Sequence, residues 1–565
     1  MSRSHRLLFA LACILLLLAI AAPAQAAQAP HHVLLVVMDQ MQPGYAQQYD
    51  MKNVLWLEHH GAWFPNAYVG DMASETVVSH NVMVSGLFPK NMGWSDEAFR
   101  DANQVLGTDP NGIYVSGDLS YGNFQSLVAA GDYPKIGSYL HTAFPGSVVA
   151  CVGEKSYQVR SMTAGSADVG VYLGSATTAN PDLVALLGGK YRPPATVGTL
   201  AVPYITADPT YRFYVNSDVT TNDYGTTLQS PSWLYPEDGN RMVPGTDPNH
   251  LGGDTWVADA AIRIMQNEDW SGLFINFGGI DKIGHMWGGG EADTIERYGW
   301  DPNSPQAQVH EPFIAKNADD QLGKLIAELK AEHVFKDTLI IVTADHGSTY
   351  AKHFFGNDYS GAGDYNWYYG NSVNDDGDYA SGDPSTPPSP PIQKLIDETG
   401  NVAFSYQSTA IETWLTDYSM PQKVAAAKVM RTLPNVIATY VKSDAGNRYC
   451  LASASLAKMN WAEFSWWALH GQELVNTMAW PGSADVVGLL KDNTSYGVIG
   501  DHGGAQQDVQ RIPMVFYNPG LAAVKSCAPF RLVDIMPTML KTMGLPADPA
   551  HPMDGKAYKL AAKCR

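Results

Sequence analysis

Basic residues, cysteine and long apolar stretches are all scarce in this chain of 565 residues. Only 36 Lys and Arg stand against 56 Asp and Glu, a formal net charge of −20. An acidic surface repels phosphate backbones, so no nucleic-acid-binding surface is expected. The same field repels a small anionic substrate unless cations sit where it binds. The five cysteines, Cys13, Cys151, Cys450, Cys527 and Cys564, are too widely spaced for a zinc–cysteine site. Cys527 and Cys564 are the expected disulfide pair near the C-terminus, and Cys151, inside an apolar run, reads as a buried thiol. There is no internal repeat, and after residues 7–22 no stretch is apolar for long enough to span a bilayer.

That one apolar stretch reads as a targeting segment. Arg3, His5 and Arg6 form a basic start, residues 7–22 an apolar run, and Ala24-Gln25-Ala26 a small-x-small cleavage site. Residues 1–26 are therefore expected to be a signal peptide cleaved after Ala26, which places the mature protein in the periplasm or outside the cell, with no stable membrane span. A retained anchor is the alternative. Removal of Arg3 and Arg6 takes the net charge from −20 to −22.

Hydrophobic residues make up 45% of the chain, enough for a large buried core. Residues 33–38, 148–152, 273–277, 339–343 and 513–517 are short, nearly unbroken apolar runs, the pattern of strands buried on both faces. Ile314, Ala318, Leu322, Leu325, Ile326 and Leu329 repeat at helical spacing between two of them, which makes a βαβ unit. A second helix is expected from Thr76 towards Val84, stopping at Gly86. The expected fold is α/β: a mostly parallel central sheet flanked by helices on both faces. One catalytic domain spans 27–565, with insertions at 96–250 and 354–495 forming a cap. Within residues 354–392 the cluster Asp375-Asp376-Gly377-Asp378 reads as a solvated acidic turn, since the other ligands of a calcium loop are missing.

Asp and His fall at the ends of these runs. Asp39 follows 33–38; Asp281 and His285 follow 273–277 in Asp-Lys-Ile-Gly-His; Asp345 and His346 follow 339–343; His502 lies in Gly-Asp-His-Gly-Gly ahead of 513–517. Ligands bind at the carboxyl ends of strands in open α/β sheets. Oxygen and imidazole donors together suit zinc and similar metals, and six of them are enough for two divalent ions. Three hydroxyls compete for the role of nucleophile, Ser74, Thr76 and Ser79. Thr76 is slightly favoured, because a helix N-terminus draws anions; a plain capping role is its bland alternative.

These motifs resemble the alkaline phosphatase superfamily, in particular its type I phosphodiesterase/nucleotide pyrophosphatase branch and the phosphate-irrepressible alkaline phosphatases. Thr76 stands four residues before His80 and ten before Gly86-Leu87-Phe88-Pro89, as in the family, and Gly61 to Tyr68 is also family-like. The resemblance implies one metal on Asp281, His285 and His502, and a second on Asp39, Asp345, His346 and the Thr76 oxygen, the usual metal being zinc. It implies attack by Thr76 on phosphorus, with a phosphothreonine that water then hydrolyses. It also suggests that Lys155 contacts the phosphoryl oxygens, with Thr163-Ala164-Gly165 following as in the family. Two departures stand out: Tyr157 occupies a family Arg position, and Asp96 and Glu97 lie where an Asn is usual. The expected function is an exported two-metal phosphoric ester hydrolase acting on a small phosphate ester, a phosphomonoesterase first. The alternatives are a phosphodiesterase or nucleotide pyrophosphatase, a sugar-acid phosphomutase, and a catalytically silent, metal-stabilised binding protein.

Overall fold

The computed structural model describes residues 29–94, 96–153, 155–172, 253–287, 305–355, 379–382, 388–497 and 500–561. The expected signal peptide, the Asp375 cluster and Cys564 lie outside them. Among the described residues no helix is long and apolar enough to cross a membrane. Cys151 and Cys450 are free thiols, the first buried and the second exposed. Cys527 is disulfide-bonded.

The apolar runs become an eight-stranded sheet. In spatial order its strands are Val524–Lys525, Ala62–Trp63, Met514–Tyr517, Thr338–Thr343, His32–Met38, Trp270–Phe277, Val148–Gly153 and Val169–Tyr172. His32–Met38 pairs in parallel with Trp270–Phe277 on one side and Thr338–Thr343 on the other. With both edges paired and both faces covered, every residue of that strand is buried, which is why its sequence shows no alternation. Met514–Tyr517 looks the same in sequence but runs antiparallel to Thr338–Thr343. An apolar run reports burial and carries no direction.

The span 96–250 is not simply an insertion over this sheet, because Val148–Gly153 and Val169–Tyr172 extend its parallel part. Further on, Tyr379–Ala380, Val402–Gln407, Ala410–Leu415, Val486–Leu490, Val436–Lys442 and Tyr449–Ala454 form a separate six-stranded antiparallel sheet. It has apolar clusters of its own. One, around Ile411 and Val486, takes in the helices Pro390–Thr399 and Met420–Met430. Another, around Trp414 and Tyr440, also includes Met72 and Ala98, which lie on either side of the Thr76 helix in sequence.

Two helices matter for the site. Thr76–Ser85 is wholly buried and ends at Gly86, whose φ of 69° is a left-handed cap that a side chain would strain. Gly279–Trp287 begins just after its strand, so Asp281 and His285, four residues apart, share one face.

Candidate active site

The ends of the three central parallel strands converge. Asp39, Asp281, Asp345 and His346 are completely buried, and Thr76, Lys155, His285 and His502 nearly so. Ligand atoms of Asp39, Asp345 and His346 lie within 4.8 Å of one another, as do those of Asp281, His346 and His502. His285 joins the second group, with Nε2 3.1 Å from Asp281 Oδ1 and 3.2 Å from His502 Nε2. His346 thus faces both groups, and all six candidate ligands fall into one cluster.

Thr76 opens its helix beside them. Lys155 Nζ donates to Thr76 Oγ1 at 3.1 Å, and His346 Nε2 lies 3.4 Å from the same oxygen. The competing hydroxyls are placed elsewhere. Ser74 Oγ donates to Gly504 O and accepts from Gly504 N, while buried Ser79 Oγ makes no hydrogen bond. Lys155 Nζ also lies 3.0 Å from Asp39 Oδ2 and 2.6 Å from Asp281 Oδ2. Burial alone would lower its pKa, but Asp281 and Asp39 outweigh burial and hold the ammonium well above the usual lysine value.

The imidazoles suit metal ligation. Burial drives His346 down to about 4, and burial with the neighbouring His346 and His285 drives His502 well below its ordinary value, so both rings are neutral. His346 Nδ1 donates to Gly347 O at 3.1 Å, which leaves Nε2 with its lone pair towards Thr76 and Asp39. His502 Nδ1 lies 2.5 Å from Glu75 Oε2, which leaves Nε2 towards Asp281 and His285. The carboxylates tell the same story. Burial and the neighbouring Asp39 push the Asp345 carboxyl well above its usual range. Asp39 Oδ1 and Asp345 Oδ2 are buried and accept no hydrogen bond from the described residues. Buried carboxylate oxygens of this kind need a cation. Orphaned oxygens beside neutral imidazole nitrogens fit divalent, zinc-type ions.

Several supporting contacts, and the residues Asn276 and Glu75, were not legible in the sequence. His80 Nδ1 donates to Thr76 O at 2.7 Å, and Asn276 Nδ2 donates both to His80 Nε2 at 3.1 Å and to Asp39 Oδ2 at 3.0 Å. Asn276 therefore fixes the His80 tautomer and ties the first turn of the Thr76 helix to a candidate ligand. Its only signal was a polar residue inside the run Phe274 to Phe277. Glu75 had no signal beyond its place next to Thr76. Gly503, at φ 76°, lets Glu75 approach, since a Cβ there would collide with Glu75 Oε1.

The two departures resolve differently. Asp96 is buried, accepts from the Glu97 backbone N–H at 2.7 Å, and hydrogen-bonds Glu412 on the antiparallel sheet, so it is used at that joint. Glu97 is half-buried and accepts from Tyr406 Oη at 3.5 Å. Burial, opposed by Lys155 and aided by Asp281 and Glu97, keeps the Tyr157 hydroxyl protonated far above its usual value.

The family described as type I phosphodiesterase / nucleotide pyrophosphatase matches residues 195–394, which contain Asp281, His285, Asp345 and His346. Among solved structures the fold is similar to wild-type alkaline phosphatase PafA, with TM-score 0.53 and 13% identity over 92% of this chain and 97% of that one. A multiply substituted variant of the same enzyme gives 0.56 and 13% over the same shares. Human ectonucleotide pyrophosphatase / phosphodiesterase 5 gives 0.50 and 12%, over 93% of this chain and 97% of that one. No curated protein matches the chain. The chain has the alkaline phosphatase fold. Over residues 195–394 it is similar to the type I phosphodiesterase / nucleotide pyrophosphatase family.

Proposed function

We propose that the chain is an exported phosphomonoesterase that works through a phosphothreonine on Thr76 and uses two divalent ions, zinc by preference. The observation that carries this reading is the Lys155 ammonium, 3.1 Å from the Thr76 hydroxyl and locked between Asp39 and Asp281. A monoester dianion carries one more charge than a diester, and a fixed cation beside the attacking oxygen favours it.

Asp281, His285 and His502 would hold one ion, and Asp39, Asp345 and His346 the other, with Thr76 Oγ1 beside the second set. Such ions supply Lewis-acid stabilisation of charge on the attacking and leaving oxygens. Thr76 Oγ, its proton passed to water, attacks phosphorus; the Oγ–P bond forms, the bond to the leaving oxygen breaks, and that oxygen takes a proton from water to depart as the alcohol. Water then attacks the same phosphorus from solvent, the Oγ–P bond breaks, and Thr76 is restored as inorganic phosphate departs. The first-turn N–H groups of the Thr76–Ser85 helix, which lack partners within the helix, face the incoming anion. Lys155 Nζ compensates phosphoryl charge. Asn276 and His80 hold the Thr76 carbonyl, so the hydroxyl keeps its direction.

Hydrolysis of a diester or pyrophosphate is the second reading. It is favoured by the family match and by Glu97 near Tyr157, since a carboxylate at that rim opposes a dianion. The test compares kcat/KM on p-nitrophenyl phosphate and bis-p-nitrophenyl phosphate with the zinc-loaded protein. The monoester should be preferred, and Lys155→Ala should lower its efficiency about tenfold more than that of the diester. A higher efficiency on the diester would reverse the assignment. Export rests on residues 1–26, and an N-terminus other than Ala27 on the mature protein would argue against cleavage after Ala26.

A further inference from the structure

Behind the site lies a lysine that the chemistry does not use. Lys135 precedes the helix Ile136–Ala143, and its side chain is completely buried. Its Nζ donates to Asn81 Oδ1 at 2.7 Å and to Ser161 O at 2.7 Å. Burial lowers its pKa to about 7, opposed by the Cys151 thiol, and among the described residues no carboxylate is a hydrogen-bond partner. An amine is costly to bury, and for packing alone a methionine would serve.

Its two partners belong to the two helices that deliver the reacting groups. Asn81 lies on the Thr76–Ser85 helix, and its Nδ2 also donates to Val77 O at 2.8 Å, in the first turn next to Thr76. Ser161 lies on the helix Ser156–Thr163, whose N-cap is Lys155. The contacts close a circuit. Thr76 leads along its helix to Asn81, across Lys135 to Ser161, back along the second helix to Lys155, and from Lys155 Nζ to Thr76 Oγ1.

We propose that Lys135 is a positioning residue, bracing these two helices so that Lys155 and Thr76 keep their separation. This rests on the reading of Lys155 as the phosphoryl-binding cation. A displacement of about 1 Å at a reacting centre can cost up to about a hundredfold in rate, so a partial loosening should cost about tenfold.

The experiment uses the zinc-loaded mature protein and measures two quantities, kcat/KM on p-nitrophenyl phosphate and the dissociation constant of inorganic phosphate. Lys135→Met and Asn81→Ala are each made in the wild-type chain and in Lys155→Ala. With Lys155 present, each should lower kcat/KM and weaken phosphate binding about tenfold; in Lys155→Ala each should change both by less than about twofold, because the group they position is gone. A general structural role would lower both backgrounds by the same factor, and that result, or no loss with Lys155 present, overturns the proposal. Should Lys135→Met not fold, Asn81→Ala alone decides between the two outcomes. If the wild-type protein hydrolyses neither ester, the functional reading fails, and phosphate binding still tests the brace.

Discussion

The two sheets solve different problems. The eight-stranded sheet is mostly parallel, and its strands end on Asp39, Asp345 and the turn into Asp281. The six-stranded antiparallel sheet contributes none of the candidate ligands, yet it holds the loop that carries His502. Ser408 Oγ and Thr409 Oγ1, in the turn between two of its strands, donate to Gly503 O at 2.7 and 2.9 Å. Buried polar contacts join its side of the molecule to the stretch 72–100, which carries the Thr76 helix: Arg100 Nη2 to Asp485 Oδ2 at 3.1 Å, Asp96 with Glu412, and Thr477 Oγ1 accepting from Met72 N at 2.9 Å. One region supplies the reacting groups, and the other keeps one of them in place. The comparison predicts that lesions in the first abolish chemistry, whereas lesions in the second reduce stability or loosen the site.

The largest effect should come from Thr76→Ala. Turnover should fall by at least about a thousandfold with metal content retained, as read by elemental analysis and steady-state rates, because the covalent route is lost. An intact rate would break the division at its strongest point. Next comes Arg100→Met, which leaves Asp485 buried with only Lys442, 3.4 Å away, as charged partner. Breaking a buried pair from one side costs about 3–5 kcal/mol, visible in chemical denaturation, while kcat of the folded fraction should stay within about twofold. The double variant Ser408→Ala with Thr409→Val removes both donors to Gly503. It should lower kcat/KM about tenfold and weaken retention of one metal against a chelator, with little change in melting temperature.

The smallest effect concerns pH at the joint. Burial raises Asp96 to about 6, and burial with Asp96 raises Glu412 well above its usual range. Both carboxyls bind protons more tightly folded than unfolded. Their stabilisation is full below about pH 4 and is lost as pH rises through about 6 and beyond. Asp96→Asn should therefore flatten the decline in melting temperature between pH 5 and 8, by the equivalent of about 1 kcal/mol. A steeper decline in the variant would show that the joint is charged in the folded state.

Residues 33–38 and 339–343 were legible as buried strands because nothing polar interrupts them, and the Asp and His groups after them were legible because strand ends are where such sheets bind ligands. The direction of Met514–Tyr517 was not, since burial on both faces looks alike in parallel and antiparallel strands. Within 96–250, the run 148–152 pointed to a strand, but its irregular surroundings hid that the span extends the main sheet. Glu75, Asn276 and Lys135 act through contacts across 427, 237 and 54 or fewer residues of chain, and spacing cannot show such contacts. Composition and local pattern barely separated Thr76 from Ser74 and Ser79; the family spacing singled it out, and three-dimensional placement sets Lys155 and His346 beside its hydroxyl.

The most direct test is to mix the zinc-loaded protein with p-nitrophenyl phosphate, quench in acid during turnover, and map phosphorylation by peptide mass spectrometry. A single phosphoryl group on Thr76, absent in Thr76→Ala, is the predicted result. Turnover with Thr76 unmodified, or a phosphoryl group on Ser74 or Ser79, would contradict the account.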